Sequence, residues 1–368
     1  MENKPVIAGI SQGDINGIGY EVVMKALSDP LIYEIVTPVV YGSPKVAAYH
    51  RKALNINNFN FNNVRNADEA HSRKANMVNC LDDNVRVELG KSTPAGGEAA
   101  FISLEKAVDD LIKGKINVLV TAPIDKYNIQ SKDFQFKGHT DYLKHRAGAD
   151  DVLMFMIGEG VRIGVATEHV PLRKVPELIT LQLLLRKIKL MNQSLIADFG
   201  IRKPLIAVLG LNPHAGDNSL LGTEEAEIIA PAVQEAQKEG IMAFGPFPAD
   251  GFFGSGSFSK FDGILAMYHD QGLAPFKALS FDTGVNFTAG LPFVRTSPVH
   301  GTAFSIAGKG EASESSFRQA LYLACDIYKN RQLHAEISRN PLKHQFIETH
   351  NDHVDELPPD LFNSEPHI

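Results

Sequence analysis

Cysteine is nearly absent: Cys80 and Cys325 are the two in 368 residues. They offer neither a disulfide framework nor a metal-type spacing, and such usage fits a reducing compartment. A basic excess is missing as well. The formal net charge is −7 and the pI about 6.0, which argues against non-specific nucleic-acid binding. No apolar run approaches the length of a membrane span. The N-terminus, Met1-Glu-Asn-Lys-Pro5, leads at once into a strand without a signal-peptide core. The expectation is a cytoplasmic protein with no membrane and no nucleic-acid partner. Two nucleotide-binding signatures are also lacking. No G-x-G-x-x-G is present, and Gly90-Lys-Ser-Thr93 fails as a Walker A motif because Val85 stands where glycine is required.

What is present is an apolar fraction of 44%, enough for a sizeable core, and a length that suggests two domains. Buried strands are expected at Val6–Ile10, Val36–Gly42, Asn117–Pro123, Arg162–Thr167, Pro204–Leu209 and Gly263–Tyr268. Helices are expected to Leu27, over Glu98–Lys113 after a Gly96-Gly97 loop, over Glu177–Phe199, after a Thr223 cap, and over Glu314–Arg331. Residues 55–90 read as surface loop and edge structure. The glycines of Ser11-Gln-Gly-Asp-Ile-Asn-Gly-Ile-Gly-Tyr-Glu21 suit either a phosphate loop or a tight strand-to-helix turn. Alternating strands and helices imply α/β layers with a largely parallel sheet.

The chemistry concentrates at strand ends, where α/β enzymes place it. His169, His214 and His269 each follow a separate apolar strand within zero to five residues. Three imidazoles suit a divalent transition metal such as Zn, Co or Ni, although no close-spaced histidine pair exists. A loop after Gly263–Tyr268 is expected to carry His269, Asp270 and Lys277. Lys277, Arg295, Asn286, His139 and Thr140 form a second set of donors, expected in loops, that suits an anionic substrate. The Arg295 guanidinium can fork two bonds to a phosphate or carboxylate.

Tyr268-His-Asp-Gln-Gly272, Gly284-Val-Asn286, Gly290-Leu-Pro-Phe-Val-Arg-Thr-Ser297 and His300-Gly-Thr-Ala303 stand in order. So do Gly138-His-Thr140, His169-Val-Pro-Leu172, Leu211-Asn-Pro-His-Ala-Gly216, Gly222-Thr-Glu-Glu225 and Pro248-Ala-Asp250. Together they closely resemble the 4-hydroxythreonine-4-phosphate dehydrogenase family of vitamin B6 biosynthesis, over about Val6 to Ala324. The chain departs from the family's Gly-Asp-Pro-Ala-Gly-Ile-Gly-Pro-Glu at Ile15-Asn16 and Tyr20, where lost prolines should loosen the turn.

The resemblance implies NAD(P)-dependent oxidation of 4-phosphonooxy-L-threonine with decarboxylation to 3-amino-2-oxopropyl phosphate. It implies a fold like isocitrate and isopropylmalate dehydrogenases: two α/β/α domains, an interdomain active site, and a largely parallel mixed sheet. The expected division is 1–137 plus 290–350 on the nucleotide side, 138–289 for metal, substrate and dimerisation, and a tail at 351–368. The metal falls on His169, His214 and His269, with Mg or Mn as further candidates. The phosphorylated substrate falls on His139, Thr140, Lys277, Asn286 and Arg295. The loop with His300, Gly301, Thr302 and Gly308 resembles the adenosine-binding loop of those dehydrogenases and serves NAD or NADP. Lys277 is expected to stabilise an oxyanion or move a proton, and Asp250 or Asp270 to orient a ligand or act as base. A homodimer is implied, with His169 and His214 from one chain and His269 reaching across. A sister activity on 4-phosphothreonate or 4-phosphoerythronate is an alternative, and an inactive metal- or phosphate-binding relative another.

Overall fold

The structure, a computed structural model, describes residues 5–82 and 84–340. The expected tail at 351–368 lies outside them. Twelve strands form one sheet: β1 (Val6–Ser11), β2 (Val36–Gly42), β3 (Asn62–Val64), β4 (Asn76–Asn79), β5 (Val118–Thr121), β6 (Leu153–Gly158), β7 (Val161–Val165), β8 (Ile206–Leu209), β9 (Ala243–Phe247), β10 (Gly263–Ala266), β11 (Val285–Ala289) and β12 (Val294–Pro298). The helices are α1 (Gly19–Leu27), α2 (Pro44–Ala53), α3 (Pro94–Ile112), α4 (His139–Ala147), α5 (Val175–Leu178), α6 (Leu181–Ala197), α7 (Ala230–Lys238), α8 (Ala249–Gly254), α9 (His269–Ser280) and α10 (Ser315–Ser338).

The strand order is β3-β4-β2-β1-β5-β12-β11-β6-β7-β10-β8-β9. Strands from residues 6–121 and 294–298 fill one half, and those from 153–289 the other. Pairing is parallel except in the middle, where β12–β11, β11–β6 and β6–β7 run antiparallel. This is a large, mostly parallel mixed sheet with helices on its faces.

The core explains where the cleft lies. On the back face one continuous cluster runs behind both halves, joining Val118, Val120, Phe155, Phe287 and Val294 to Phe317, Leu184 and Ile188. On the front face the core is split. α3 packs over one half, around Leu104, Leu119 and Tyr41. α9 packs over the other, around Met154, Ile163, Leu273 and Phe276. Between these two clusters the polar front of β11 and β12 is left open. Alternation along a strand sends successive side chains to opposite faces, so Asn286, Thr288, Arg295 and Ser297 share this front while Phe287 and Thr296 face the back.

Several local expectations change. α3 begins at Pro94, before the two glycines: Thr93 Oγ1 accepts from Gly96 N at 3.1 Å, and proline suits the first turn. Gly96 and Gly97 sit inside the helix because it crowds other backbone; a Cβ on Gly97 would lie 2.1 Å from the Asn128 carbonyl. Ile112 ends up exposed rather than in the stripe. The long helix after Val175 breaks at Ile179-Thr180, where Thr180 caps a new start. A helix does start after Thr223, with Glu227 N donating to Thr223 O at 2.9 Å, but no side chain caps it, and Glu225–Ile229 forms a π turn that leads into α7 with Pro231 in its first turn.

The glycine-rich turn at 11–20 is wholly buried, so its glycines serve close packing, not a phosphate. A Cβ on Gly13 would meet Pro123 O at 2.3 Å, and one on Gly17 would meet Thr302 O at 2.8 Å. Nor is the turn loose. Asn16 bonds Thr93 Oγ1 (2.8 Å) and the Glu88 amide (2.7 Å), and Tyr20 OH donates to Gln12 Oε1 (2.5 Å).

His50 packs against this turn. It donates from Nε2 to Ile15 O at 2.7 Å and stacks on Tyr20, with centroids 5.0 Å apart. Burial pushes its pKa down to about 4. The unfolded chain therefore takes up a proton that the folded chain refuses. His50's contribution is fully present above the unfolded value near 6.5 and is lost as pH falls toward 4. Going from about pH 7.5 to about pH 5 should cost on the order of 2 kcal/mol through this residue alone. Denaturant unfolding of His50→Gln and the parent at both pH values checks this. Equal losses in the two proteins would acquit His50.

Candidate active site

A cleft of about 470 Å³ opens over the gap in the front core, a size suited to a small ligand. Its floor is the antiparallel middle of the sheet: Met154 and Met156 of β6, Asn286 of β11, Arg295 and Ser297 of β12, and Thr121 of β5. Its walls are the start of α4, the segment after β7, one side of α9 and the loop after β12. Six basic residues line it (Lys126, Lys137, Lys144, Lys187, Lys277, Arg295) against three acids (Asp141, Asp151, Glu168), in a chain that is acidic overall.

Arg295 is 2% exposed, and among the described residues its side-chain partners are hydroxyls. Nε and Nη2 donate to Thr121 Oγ1 (3.2 and 2.8 Å), and Nη1 donates to Thr288 Oγ1 at 3.2 Å. Among the described residues no carboxylate pairs with it, and burial pushes its pKa down to about 9. A buried cation without an anion is costly unless a ligand brings one. Among the described residues, four buried polar atoms of cleft-lining side chains lack a hydrogen-bond partner: His139 Nε2, Asp151 Oδ2, Asn286 Oδ1 and His300 Nε2. His139 stands at the first position of α4, behind Gly138, which contributes no capping side chain. The helix N-terminus therefore presents free backbone donors toward the cleft. Burial, with Arg295 and Lys126 nearby, holds His139 neutral, well below its usual pKa.

The histidines divide. β7, β10 and β8 are neighbouring parallel strands, so His169, His269 and His214 do leave one edge of the sheet. His169 and His269 face each other with ring centroids 5.5 Å apart, and both line the cleft. His214 is exposed and is not among the lining residues. Within one chain, β10 lies between β7 and β8 and brings His269, rather than His214, alongside His169. Among the described residues no three His, Cys, Asp or Glu side chains gather as a metal set. His269 Nδ1 lies 2.6 Å from Asp270 Oδ1, which leaves Nε2 as its free nitrogen. His169 is pushed down to about 4 by burial, then Lys126 and His269, and is neutral at pH 7.

Other expected residues fall as follows. Lys277 lines the cleft, but from helix α9, which begins directly at His269 where a loop was expected. Asn286 and Arg295 also belong to strands rather than loops. Thr140 lines the wall. Asp250, in the first turn of α8, is exposed and away from the cleft, so one chain does not offer it as a base there. Asp270 is largely exposed and reaches the cleft only through His269. His300 and Gly301 line the cleft, and a Cβ on Gly301 would meet nothing. Thr302 and Gly308 lie behind them; Thr302 O accepts from Ile18 N at 3.0 Å, and Gly308 packs on Leu89.

Two residues escaped the sequence reading. Lys126 Nζ lies 3.2 Å from His169 Nε2, its pKa lowered by burial. Glu168 lines the cleft immediately before His169, its pKa raised by burial. Both stand just beyond strand ends, β5 and β7, the positions that flagged the histidines.

Comparison with known proteins gives a consistent picture. Residues 34–324 match the family model described as Pyridoxal phosphate biosynthetic protein PdxA. A 4-hydroxythreonine-4-phosphate dehydrogenase of Bacteroides thetaiotaomicron is 53% identical over 353 residues, 96% of this chain and 97% of that protein. A protein of Oceanobacillus iheyensis named for D-threonate 4-phosphate dehydrogenase is 38% identical, over 89% and 99% of the two chains. The crystal structure of 4-hydroxythreonine-4-phosphate dehydrogenase from Klebsiella pneumoniae superposes with a TM-score of 0.77 at 31% identity, covering 89% of this chain and 99% of that one. With a cleft built around an unpaired guanidinium and a family match over most of its length, the chain belongs to the PdxA family of 4-hydroxythreonine-4-phosphate dehydrogenases.

Proposed function

We propose that this chain oxidises the 3-hydroxyl of 4-phosphonooxy-L-threonine with NAD or NADP, and that the resulting 2-amino-3-oxo acid loses its carboxylate to give 3-amino-2-oxopropyl phosphate. The observation that carries the reading is Arg295, a buried guanidinium without a carboxylate on the floor of a small-molecule cleft. An anionic substrate supplies the missing charge. Arg295, His139 and the first-turn amides of α4 hold the phosphate or carboxylate. Lys277 and Lys126 add charge around the reacting carbons, and the packed walls exclude water. The half of the sheet built from 6–121 and 294–298 is assigned to the nucleotide. The loop at 300–310 receives the adenosine end, and the nicotinamide accepts the hydride.

The donor chemistry fits a divalent cation in part: two facing, neutral imidazoles from one chain, with His214 exposed on the same sheet edge. We assign the third ligand to His214 of the partner subunit in a homodimer. Leu172, Leu220 and Leu221 are 67%, 77% and 42% exposed in the segments that follow His169 and His214, and suit a covered surface there. When bound, the cation would supply Lewis-acid polarisation of the substrate's oxygens. Dialysis against a strong chelator should abolish NADH formation, and added Zn, Co, Mg or Mn should restore it. Full turnover in a metal-free sample would remove the metal from this reading. Oxidation of 4-phosphothreonate or 4-phosphoerythronate is the second reading, and the Oceanobacillus relative's name supports the threonate.

A further inference from the structure

We infer that Glu168 is the specificity residue of the cleft, receiving the substrate's C2 ammonium and thereby selecting a 2-amino over a 2-hydroxy acid. The inference deepens the dehydrogenase reading and rests on it. The two candidate substrates share a phosphate, a carboxylate and a 3-hydroxyl. They differ in one group, an ammonium in one and a hydroxyl in the other. The question is which of the three acids lining the cleft is free to take a cation.

Asp151 is committed: Lys187 Nζ sits 2.7 Å from its Oδ1, and the Val152 amide donates to the same oxygen at 2.9 Å. Asp141 is turned to its own helix start, where Oδ2 accepts from the Lys137 amide at 3.3 Å. Glu168 is in no ion pair among the described residues, although its cleft holds six cations. Two cations act on it from beyond ion-pair distance, and both are engaged: Lys187 by Asp151 and by Val152 O at 2.5 Å, and Lys126 by His169 Nε2 at 3.2 Å. Its carboxylate lies against the Met154 backbone, which with Lys187 offsets part of the burial that raises its pKa. Met154 pairs in register with Thr288, and Thr288 is a partner of Arg295. An unpaired carboxylate and an unpaired guanidinium therefore lie beside opposite members of one rung of the cleft floor. A zwitterion carrying both an anionic group and an ammonium complements that pair, whereas a hydroxy acid complements only the arginine. The position also suits the chemistry. Glu168 precedes His169, and C2 adjoins C3, the carbon whose hydroxyl is oxidised.

The test is calorimetric binding of 4-phosphonooxy-L-threonine and of 4-phosphothreonate, with a divalent cation present, to the parent, Glu168→Gln and Glu168→Asp. Glutamine keeps the shape and removes the charge. The amino acid should bind at least about tenfold more weakly to the glutamine variant while the hydroxy acid changes less than about threefold. The aspartate variant should keep most of the parent's preference. Equal loss of both ligands would mark Glu168 as structural and overturn the assignment, and so would an unchanged ratio. If the parent binds neither acid, both this assignment and the dehydrogenase reading fall. If the parent binds both and the ratio does not move, the assignment falls alone.

Discussion

Arg295→Met should unfold later than the parent and turn over substrate roughly a thousandfold more slowly. The two effects have one cause. In the free protein the guanidinium is buried with two threonine hydroxyls and no anion. Holding its pKa down to about 9 by burial corresponds to a cost on the order of 5 kcal/mol. Methionine fills similar space without that penalty. Leaving Thr121 and Thr288 without their donor offsets about 1 kcal/mol each, so a net gain of about 3 kcal/mol remains. In a chain of this length that raises Tm by only about 4 °C, which differential scanning calorimetry resolves. Binding moves the other way. The charge that destabilises the free fold is the one an anionic substrate neutralises, and removing it should cost about 3 to 5 kcal/mol in kcat/KM.

Arg295→Lys separates charge from geometry. Lysine keeps the cation but loses the planar fork, so substrate affinity should fall roughly tenfold or more while NAD affinity stays near the parent's. A methionine variant that is both less stable and fully active would show that Arg295 is a core residue whose position on the cleft is incidental.

The sequence made the sheet's β-branched strands readable. Val36–Gly42, Val118–Thr121 and Ile206–Leu209 are fully buried runs, as their composition implies. β6 was not anticipated. Its Leu-Met-Phe-Met-Ile-Gly has one β-branched residue, so it carries little strand signal and becomes a strand only because β11 and β7 flank it. The candidate site was legible where chemistry stands at a strand end or a helix start: His139, His169, His269 and Arg295 all line one cleft. Lys126 and Glu168 were not, since a single charge after a strand looks like a solvated one until its surroundings are known. Nor was strand order. Two strands consecutive in the chain invite the assumption that they are neighbours. The crossover that puts β10 between β7 and β8 decides which histidines can meet, and it leaves no local signal.

The proposed homodimer predicts the outcome of a subunit-mixing experiment. With His169 and His269 from one chain and His214 from its partner, a symmetric dimer holds two identical composite sites. His169→Ala and His214→Ala should each be inactive alone. Mixed after mild denaturation and refolded, half the random dimers are heterodimers. In each, one site draws His169 and His269 from the His214→Ala chain and His214 from the His169→Ala chain, so it is intact, while the other site is doubly damaged. About a quarter of the parent activity should therefore return. The pair His169→Ala with His269→Ala should restore nothing, because both ligands come from the same chain and every site in every dimer lacks one of them. The facing rings at 5.5 Å predict this asymmetry between the two mixtures. Recovery from the His169/His269 pair instead would place those two ligands on different chains. Recovery from neither, with subunit exchange verified by native mass spectrometry, would confine the site to one chain and require His214 to move to the cleft or to play no part in it.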